Sequence, residues 1–309
     1  MNTQNPSQKG ESNCAPICLF VYNRLEETKI TLEELRNNYL APMSDLFIFS
    51  DGPKSEFDND SVNDVREFIS NIGGFRSVKI IEQKENLGLA KSIINGVTRI
   101  VNEYGAVIVI EDDIKTSKNF LNFLNQGLDF YRRNDRIQSI SGYTMPLKGL
   151  NKLEKDFYYG LRASSWGWAT WKHVWNKIDW DVNDYDEFKK NESQRRSFNE
   201  LGSDMAYMLK NKMTGRIDSW AIVFCYDQWK NQRFTVYPKE SKVENIGFSE
   251  KASNTQFVVK EYIAKIDKSN KETFVFDKNI ELNKTLLKQF SKNYSIPVRL
   301  KNKILRLIG

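Results

Sequence analysis

A chain of 309 residues, 40% hydrophobic and 28% charged, is large enough for one big core or two lobes that share an interface. No apolar run approaches the roughly 20 residues of a bilayer span, and a net charge of +6 without any recognition motif argues against a nucleic-acid partner. Residues 1–14 are polar and lack the apolar core of a secretory signal, so they are predicted to be a disordered tail on a cytoplasmic protein. The three cysteines, Cys14, Cys18 and Cys225, show no zinc-type pairing and read as reduced thiols. The single histidine, His173, excludes a site built from two or more histidines; it is either a catalytic base or a helix-surface residue.

In chain order, residues 17–22 (ICLFVY) form a continuous apolar run, the mark of a strand covered on both faces. A helix is predicted over 26–38, with Ile30, Leu32 and Leu35 as its buried side. The next strand, 46–49, ends in the turn composition Ser50-Asp51-Gly52-Pro53. A polar helix precedes Gly73-Gly74, and a third strand covers 78–81. Leu89, Ile93, Val97, Ile100 and Val101 recur at helical spacing until Gly105 ends the helix. Residues 106–110 (AVIVI) follow as a fourth strand, then a helix over 118–133 and a strand over 137–141. Strands separated by helices imply a mostly parallel central sheet with right-handed crossovers and helices on both faces. No G-x-G-x-x-G follows the first strand and no Walker lysine loop is present, which excludes the usual NAD-binding and P-loop plans.

The fourth strand runs directly into Glu111, Asp112 and Asp113. Two carboxylates about 4 Å apart repel by roughly 4 kcal/mol at an effective dielectric near 20, so a positive group is expected among them. Oxygen-only ligands suit Mg2+ or Mn2+ rather than zinc, and open α/β sheets bind ligands at the carboxyl ends of their strands. On its own, such a triplet is equally a solvated acidic loop or the cap of the helix that follows.

The second half is different in character. All seven tryptophans lie between Trp166 and Trp229, as expected of a carbohydrate cleft, a tryptophan-rich core, or both. From Lys284 onward, basic residues alternate with Leu286, Leu287, Phe290, Ile296, Leu300 and Ile304 without a single acid. The pattern predicts a basic amphipathic helix broken at Pro297. It suits an anionic membrane surface or packing on the protein body.

The unit VIVIEDDIKTSKNFLNFLNQGLDFYRRNDRIQSISGY resembles the donor-binding core of glycosyltransferases of the GT-A fold, a Rossmann-like α/β fold. The similarity is to bacterial family-2-like sugar transferases and to Golgi N-acetylglucosaminyltransferases that initiate complex N-glycans. SSWGWATWKHVW resembles the acceptor-side segment of these enzymes, and IDSWAIVFCYDQW with YPKESKVENIGF resembles the segment of the catalytic base and the loop after it. The resemblance spans residues 16–250. It implies a donor-binding half at 15–142 and an acceptor and catalytic-base half at 143–260; the charge pattern makes 261–309 a basic amphipathic extension.

What the resemblance implies is an inverting, metal-dependent transferase using a nucleotide sugar, with a UDP-sugar favoured, and a glycan or lipid-linked acceptor. The setting would be surface polysaccharide synthesis on the inner face of the cytoplasmic membrane. Asp113 would hold Mn2+ or Mg2+, and Glu111 and Asp112 would contact the donor. Tyr22, Asn23, Arg24 and Asp51 would lie at the base and ribose, with Asn86 and Lys91 near the phosphates; Asn86 and Gly88 equally suit a plain turn. Trp166, Gly167, Trp168 and Trp220 would face the acceptor. Asp218 would be the base, with Asp227 next and Asp179 and Asp181 behind; an N-cap role at Ser219 is the alternative for Asp218. Relatives carry a histidine after the Asn245-Ile246-Gly247-Phe248 loop. Here SEKASNT follows, leaving water, Ser253, Asn254 or Thr255 for that task. A catalytically silent carbohydrate-binding or scaffold protein of the same fold, and a sugar-phosphate nucleotidyltransferase, are the competing readings. For the nucleotidyltransferase, FVYNRLEE lacks the required Gly-rich loop.

Overall fold

The computed structural model describes residues 14–247 and 262–308. The expected N-terminal tail up to residue 13, together with Phe248, Ser253, Asn254 and Thr255, lies outside the described residues. The elements in order are β1 (Ile17–Val21), α1 (Leu25–Arg36), β2 (Asp45–Ser50), α2 (Asn59–Ser70), β3 (Ser77–Glu82), α3 (Leu89–Tyr104), β4 (Ala106–Glu111), β5 (Ile114–Thr116) and α4 (Phe120–Tyr131). There follow β6 (Ile137–Ser141), β7 (Phe157–Gly160), β8 (Trp168–Trp171), α5 (Lys172–Trp175), α6 (Tyr185–Phe188), α7 (Glu192–Phe198), α8 (Met205–Met213) and α9 (Trp220–Lys230). The last are β9 (Phe234–Pro238), β10 (Val243–Asn245), α10 (Lys284–Asn293) and α11 (Ile296–Ile308).

The fold is α/β, with a mostly parallel central sheet and helices on both faces, as the strand–helix alternation predicted. One eight-stranded sheet has the order β3-β2-β1-β4-β8-β6-β9-β7. β3, β2, β1 and β4 are mutually parallel, and β6 and β9 run the same way. β8 enters antiparallel between β4 and β6, and β7 closes the edge antiparallel to β9. The sheet therefore crosses the boundary expected near residue 142. A second ladder pairs β5 with β10, Ile114 opposite Asn245.

The apolar strands are continuous because both faces are covered. On one face Ile17, Leu19, Ile108 and Ile110 meet α1, α2 and α4. On the other, Cys18, Phe20, Val107 and Val109 meet α3, α8 and α9. The tryptophan crowding belongs largely to this second layer. Trp168 is 1% exposed, with ring centroids 4.8 Å from Trp220 and 5.8 Å from Trp175. All three cysteines are buried and unpaired, as free thiols. His173 sits on α5 beside Asp135, 3.7 Å from its carboxylate, and burial pulls its imidazole pKa down.

Candidate active site

β1 and β4 are neighbours with Phe20 opposite Glu111, so the residues just beyond each strand meet. Arg24, immediately before α1, reaches across: Nη2 donates to Asp112 Oδ1 at 2.8 Å and Nη1 to Asp113 Oδ2 at 3.1 Å. Part of the relief that the sequence assigned to a divalent cation thus comes from a guanidinium of the chain itself. Thr31 Oγ1 donates to the Asp112 carbonyl at 2.8 Å and fixes the turn. Burial raises the pKa of all three carboxyls. For Glu111 the charges of Asp113 and Asp112 add to burial, whereas for Asp112 and Asp113 the attraction of Arg24 opposes it.

Fully ionised, the three carboxyls against one guanidinium would leave two negative charges in excess, which burial resists by pushing Glu111 up to about 8 and Asp112 to about 7. Among the described residues the Glu111 carboxylate has no hydrogen-bond donor, and only charge acts on it besides burial. No group of three or more His, Cys, Asp or Glu side chains converges on one point among the described residues. That donor set fits a hard divalent ion held by one or two carboxylates, with phosphate oxygens and water completing its shell, and does not fit an all-protein cage. The loop after β10 seals this corner. Ile246 N donates to the Asp113 carbonyl at 2.8 Å, and a Cβ on Gly247 would sit 2.0 Å from Asp113 Oδ2, so only glycine fits there. The structure thus brings the N-I-G segment and the acids together.

The acids open into a cleft of about 890 Å³ at the carboxyl ends of the parallel strands, within the range of small-ligand sites. Tyr22, Asn23, Arg24, Asp51, Asn86, Glu111, Asp112, Asp113, Trp166, Asp218 and Trp220 all line it. Several already have partners. Tyr22 Oη accepts from Lys54 N at 3.0 Å, and Asn23 Nδ2 donates to Asp58 Oδ1 at 3.3 Å. Asp51 accepts from the backbone N–H groups of Gly52 and Leu87 at 2.9 Å and of Gly88 at 3.0 Å. Asn86 Nδ2 donates to the Gly52 carbonyl at 2.8 Å. Asp51 and Asn86 therefore fasten residues 85–88 against the end of β2, which is the turn role foreseen for Asn86. Lys91 is exposed on α3 and does not line the cleft; the side chains of Lys54, Arg24 and Arg162 supply its cations.

Asp218 lines the same cleft as the acids. Its Oδ2 accepts from Ala90 N at 3.2 Å and its Oδ1 pairs with Lys212 at 3.3 Å, the side chain being 54% exposed. It caps a helix, but not the one that follows it. It stands at the amino end of α3, 128 residues away in sequence, where Gly88 at φ 78° gives it room. A carboxylate there satisfies an orphan N–H and meets the positive end of the helix dipole. Asp227 lies elsewhere. It is buried against Arg233 at 3.1 Å, with Gln138 and Asn231 donating to it, and it does not line the cleft. Asp179 is occupied by the backbone of its own turn, through the N–H groups of Asp181 and Asn183.

Of the residues expected at an acceptor, Trp166 lines the cleft and packs edge-on against Tyr143 at 4.5 Å. Trp168 is core, because β8 is an inner strand and its side chain points into the aromatic layer. Gly167 turns the chain between the two, its carbonyl accepting from Gly142 N at 2.6 Å. The pattern reading missed the far end of the cleft. There Arg162 holds Asp204 in two parallel bonds of 3.1 and 3.2 Å and lies over the Tyr294 ring at 3.9 Å. Tyr262, Phe290 and Tyr294 come from the last described segment. A lone arginine in GLRASSW was the only local signal, and nothing near residue 294 pointed to the cleft.

No family model and no curated protein sequence matches this chain. Among solved structures it is similar to the mannosyltransferase PcManGT from Pyrobaculum calidifontis in complex with GDP-Man and Mn2+, at 12% identity and a TM-score of 0.37. The match covers 55% of this chain and 48% of that one, so the chain spans less than half the length of that protein. A likeness this loose carries no argument about ligand or activity, and it adds nothing to the N-acetylglucosaminyltransferase resemblance.

Proposed function

We propose that the chain is a GT-A-type glycosyltransferase that moves a sugar from a nucleoside diphosphate to a hydroxyl of a glycan or lipid-linked acceptor, with inversion. The observation that carries this reading is the strand-end cluster Glu111-Asp112-Asp113 with Arg24, open to a large cleft that Asp218 also lines. Asp113 would hold a divalent cation, which when bound offsets the charge that builds on the departing diphosphate. Arg24 would turn from Asp113 toward that diphosphate, and Lys54 also lines the cleft. Glu111 and Asp112 accept hydrogen bonds from donor hydroxyls. The acceptor O–H gives its proton to Asp218 as its oxygen bonds to the anomeric carbon; the bond from that carbon to the diphosphate oxygen breaks, and the diphosphate leaves with the electron pair. General-base help of this kind contributes about 10²- to 10⁴-fold. A UDP-sugar is the favoured donor, surface polysaccharide or its lipid-linked precursor the favoured product.

One observation favours a catalytically silent binding protein of the same shape: Arg24 satisfies two of the acids, and Asp218 is engaged by Ala90 N and Lys212. Thermal-shift screening of UDP-, GDP- and TDP-sugars with and without Mn2+, followed by product detection, separates the two. A Mn2+-dependent shift with released nucleoside diphosphate is expected. A shift without turnover on any acceptor or water selects the silent protein, and the absence of any shift rejects both.

A further inference from the structure

We propose that α11 lies flat in the interface of an anionic lipid surface and sets the mouth of the cleft beside it. α11 exposes Ile296, Leu300 and Ile304 at 60%, 54% and 53%. These residues recur every fourth position, so they form one stripe along one face of the helix rather than scattered apolar points. Pro297 sits in the first turn, where its missing N–H costs nothing, and the chain break falls at Tyr294 and Ser295 instead. In sequence, the stretch from Lys284 onward carries Lys284, Lys288, Lys292, Arg299, Lys301, Lys303 and Arg306 with no acid among them. At about 1.5 Å per residue the helix is roughly 20 Å long, too short to cross a bilayer core of about 30 Å. No helix among the described residues is long and apolar enough to span.

The root of α11 is fixed to the body. Leu286 of α10 is 1% exposed, and Gln289 Oε1 accepts from Gly149 N at 2.9 Å. The Tyr294 carbonyl accepts from Ser203 N at 3.3 Å, and Arg299 Nη1 donates to Ser203 Oγ at 3.2 Å. Phe290 and Tyr294 are themselves walls of the cleft, and Ser203 adjoins Asp204, which holds Arg162 there. The apolar stripe therefore starts two residues after Tyr294, a residue that lines the cleft. A second copy of the chain is the weaker occupant. Pairing two such faces about a two-fold axis brings like charges together, whereas acidic headgroups satisfy the cations and acyl chains the stripe. That the cleft draws its acceptor from this surface rests on the transferase reading; the docking itself does not.

Co-sedimentation of the full chain with vesicles tests the docking. Binding is expected to vesicles of equal parts phosphatidylcholine and phosphatidylglycerol, weakened by salt, and absent with phosphatidylcholine alone. Replacing two cations (Lys303→Gln with Arg306→Gln) should lower partitioning by roughly 30-fold at about 1 kcal/mol per charge. Leu300→Ser with Ile304→Ser should abolish it without lowering the melting temperature. Equal binding to neutral vesicles, or no vesicle binding together with a dimer that Leu300→Ser/Ile304→Ser dissolves in sedimentation velocity, overturns the proposal. The donor-induced thermal shift, read on the same preparations, keeps the two ideas apart: vesicle binding without it removes only the transferase reading, and the reverse removes only the docking.

Discussion

Replacing Arg24 by Met removes the one guanidinium that joins the ends of β1 and β4. The Arg24, Asp112 and Asp113 side chains are 14%, 6% and 14% exposed, so the lost partner sat in a largely buried pair at the edge of the cleft. Breaking a buried pair from one side costs about 3–5 kcal/mol, and the orphaned carboxyls, whose pKa burial already raises, would meet it by taking up protons. For a chain of this length the unfolding entropy is roughly 0.6 kcal/mol per degree, so a loss of about 4 kcal/mol lowers the midpoint by roughly 6 °C. Mn2+ should compensate, since it brings positive charge to the same oxygens. At a hundredfold excess over its dissociation constant it contributes about 2.7 kcal/mol, or roughly 4 °C. In the unsubstituted chain the ion must first displace Arg24 from Asp113, and its shift should be smaller. Thermal scans in chelator and in Mn2+, on both proteins, read these numbers directly. The reasoning is refuted if Arg24→Met melts with the parent in chelator, or if Mn2+ raises both by the same amount.

Three further outcomes are expected. Asp218→Asn should abolish transfer but retain the donor-induced thermal shift, losing about 1 kcal/mol of stability through the weakened cap on α3; normal turnover would remove Asp218 as the base. Gly247→Ala forces a methyl against Asp113, so isothermal titration should show Mn2+-dependent donor binding lost, and undiminished binding would show that the loop after β10 yields freely. Asp267 provides the pH test. Burial pushes its carboxyl up, but the hydrogen bonds from Lys242 and Asn119 outweigh this and hold it at about 2. Because its folded pKa lies below the ordinary value near 3.9, its contribution is complete above that value and fades as pH falls toward about 2. Asp267→Asn should leave the buried Lys242 unpaired, costing about 3–5 kcal/mol at neutral pH, and the deficit should narrow in acid. A deficit that stays constant down to pH of about 2 would contradict the linkage.

Much of the first half was legible because its strands are buried on both sides and its helices end at recognisable residues. The apolar run before Glu111 and the glycine at 105 each have one local physical reading. β8 had none. WATW lies in a tryptophan-rich stretch with no alternation, and only the tertiary fold decides that it enters the sheet between β4 and β6. For that reason Trp168 was expected at the acceptor and is found in the core. Likewise, Asp218 was weighed as a cap for the helix next to it, whereas its donor is Ala90, brought close by the crossing of α3 and α9. Arg24 was singled out for the donor, but its bonds to Asp112 and Asp113 follow from the register of β1 against β4, which composition does not encode. Residues 262–283 carry little regular secondary structure, yet Phe274 is buried against Phe123 through contacts no periodicity reveals.

The antiparallel entry of β8 has a mechanical outcome. Hydrogen-bonded to β4 on one side and β6 on the other, it welds the two flanks of the cleft into a single girder, and parting them would tear a ladder apart. Any ligand of this cleft would therefore come and go past described side chains outside the sheet, Tyr262, Phe290 and Tyr294 among them. Their stiffness, not any rocking of lobes, should set the pace of release.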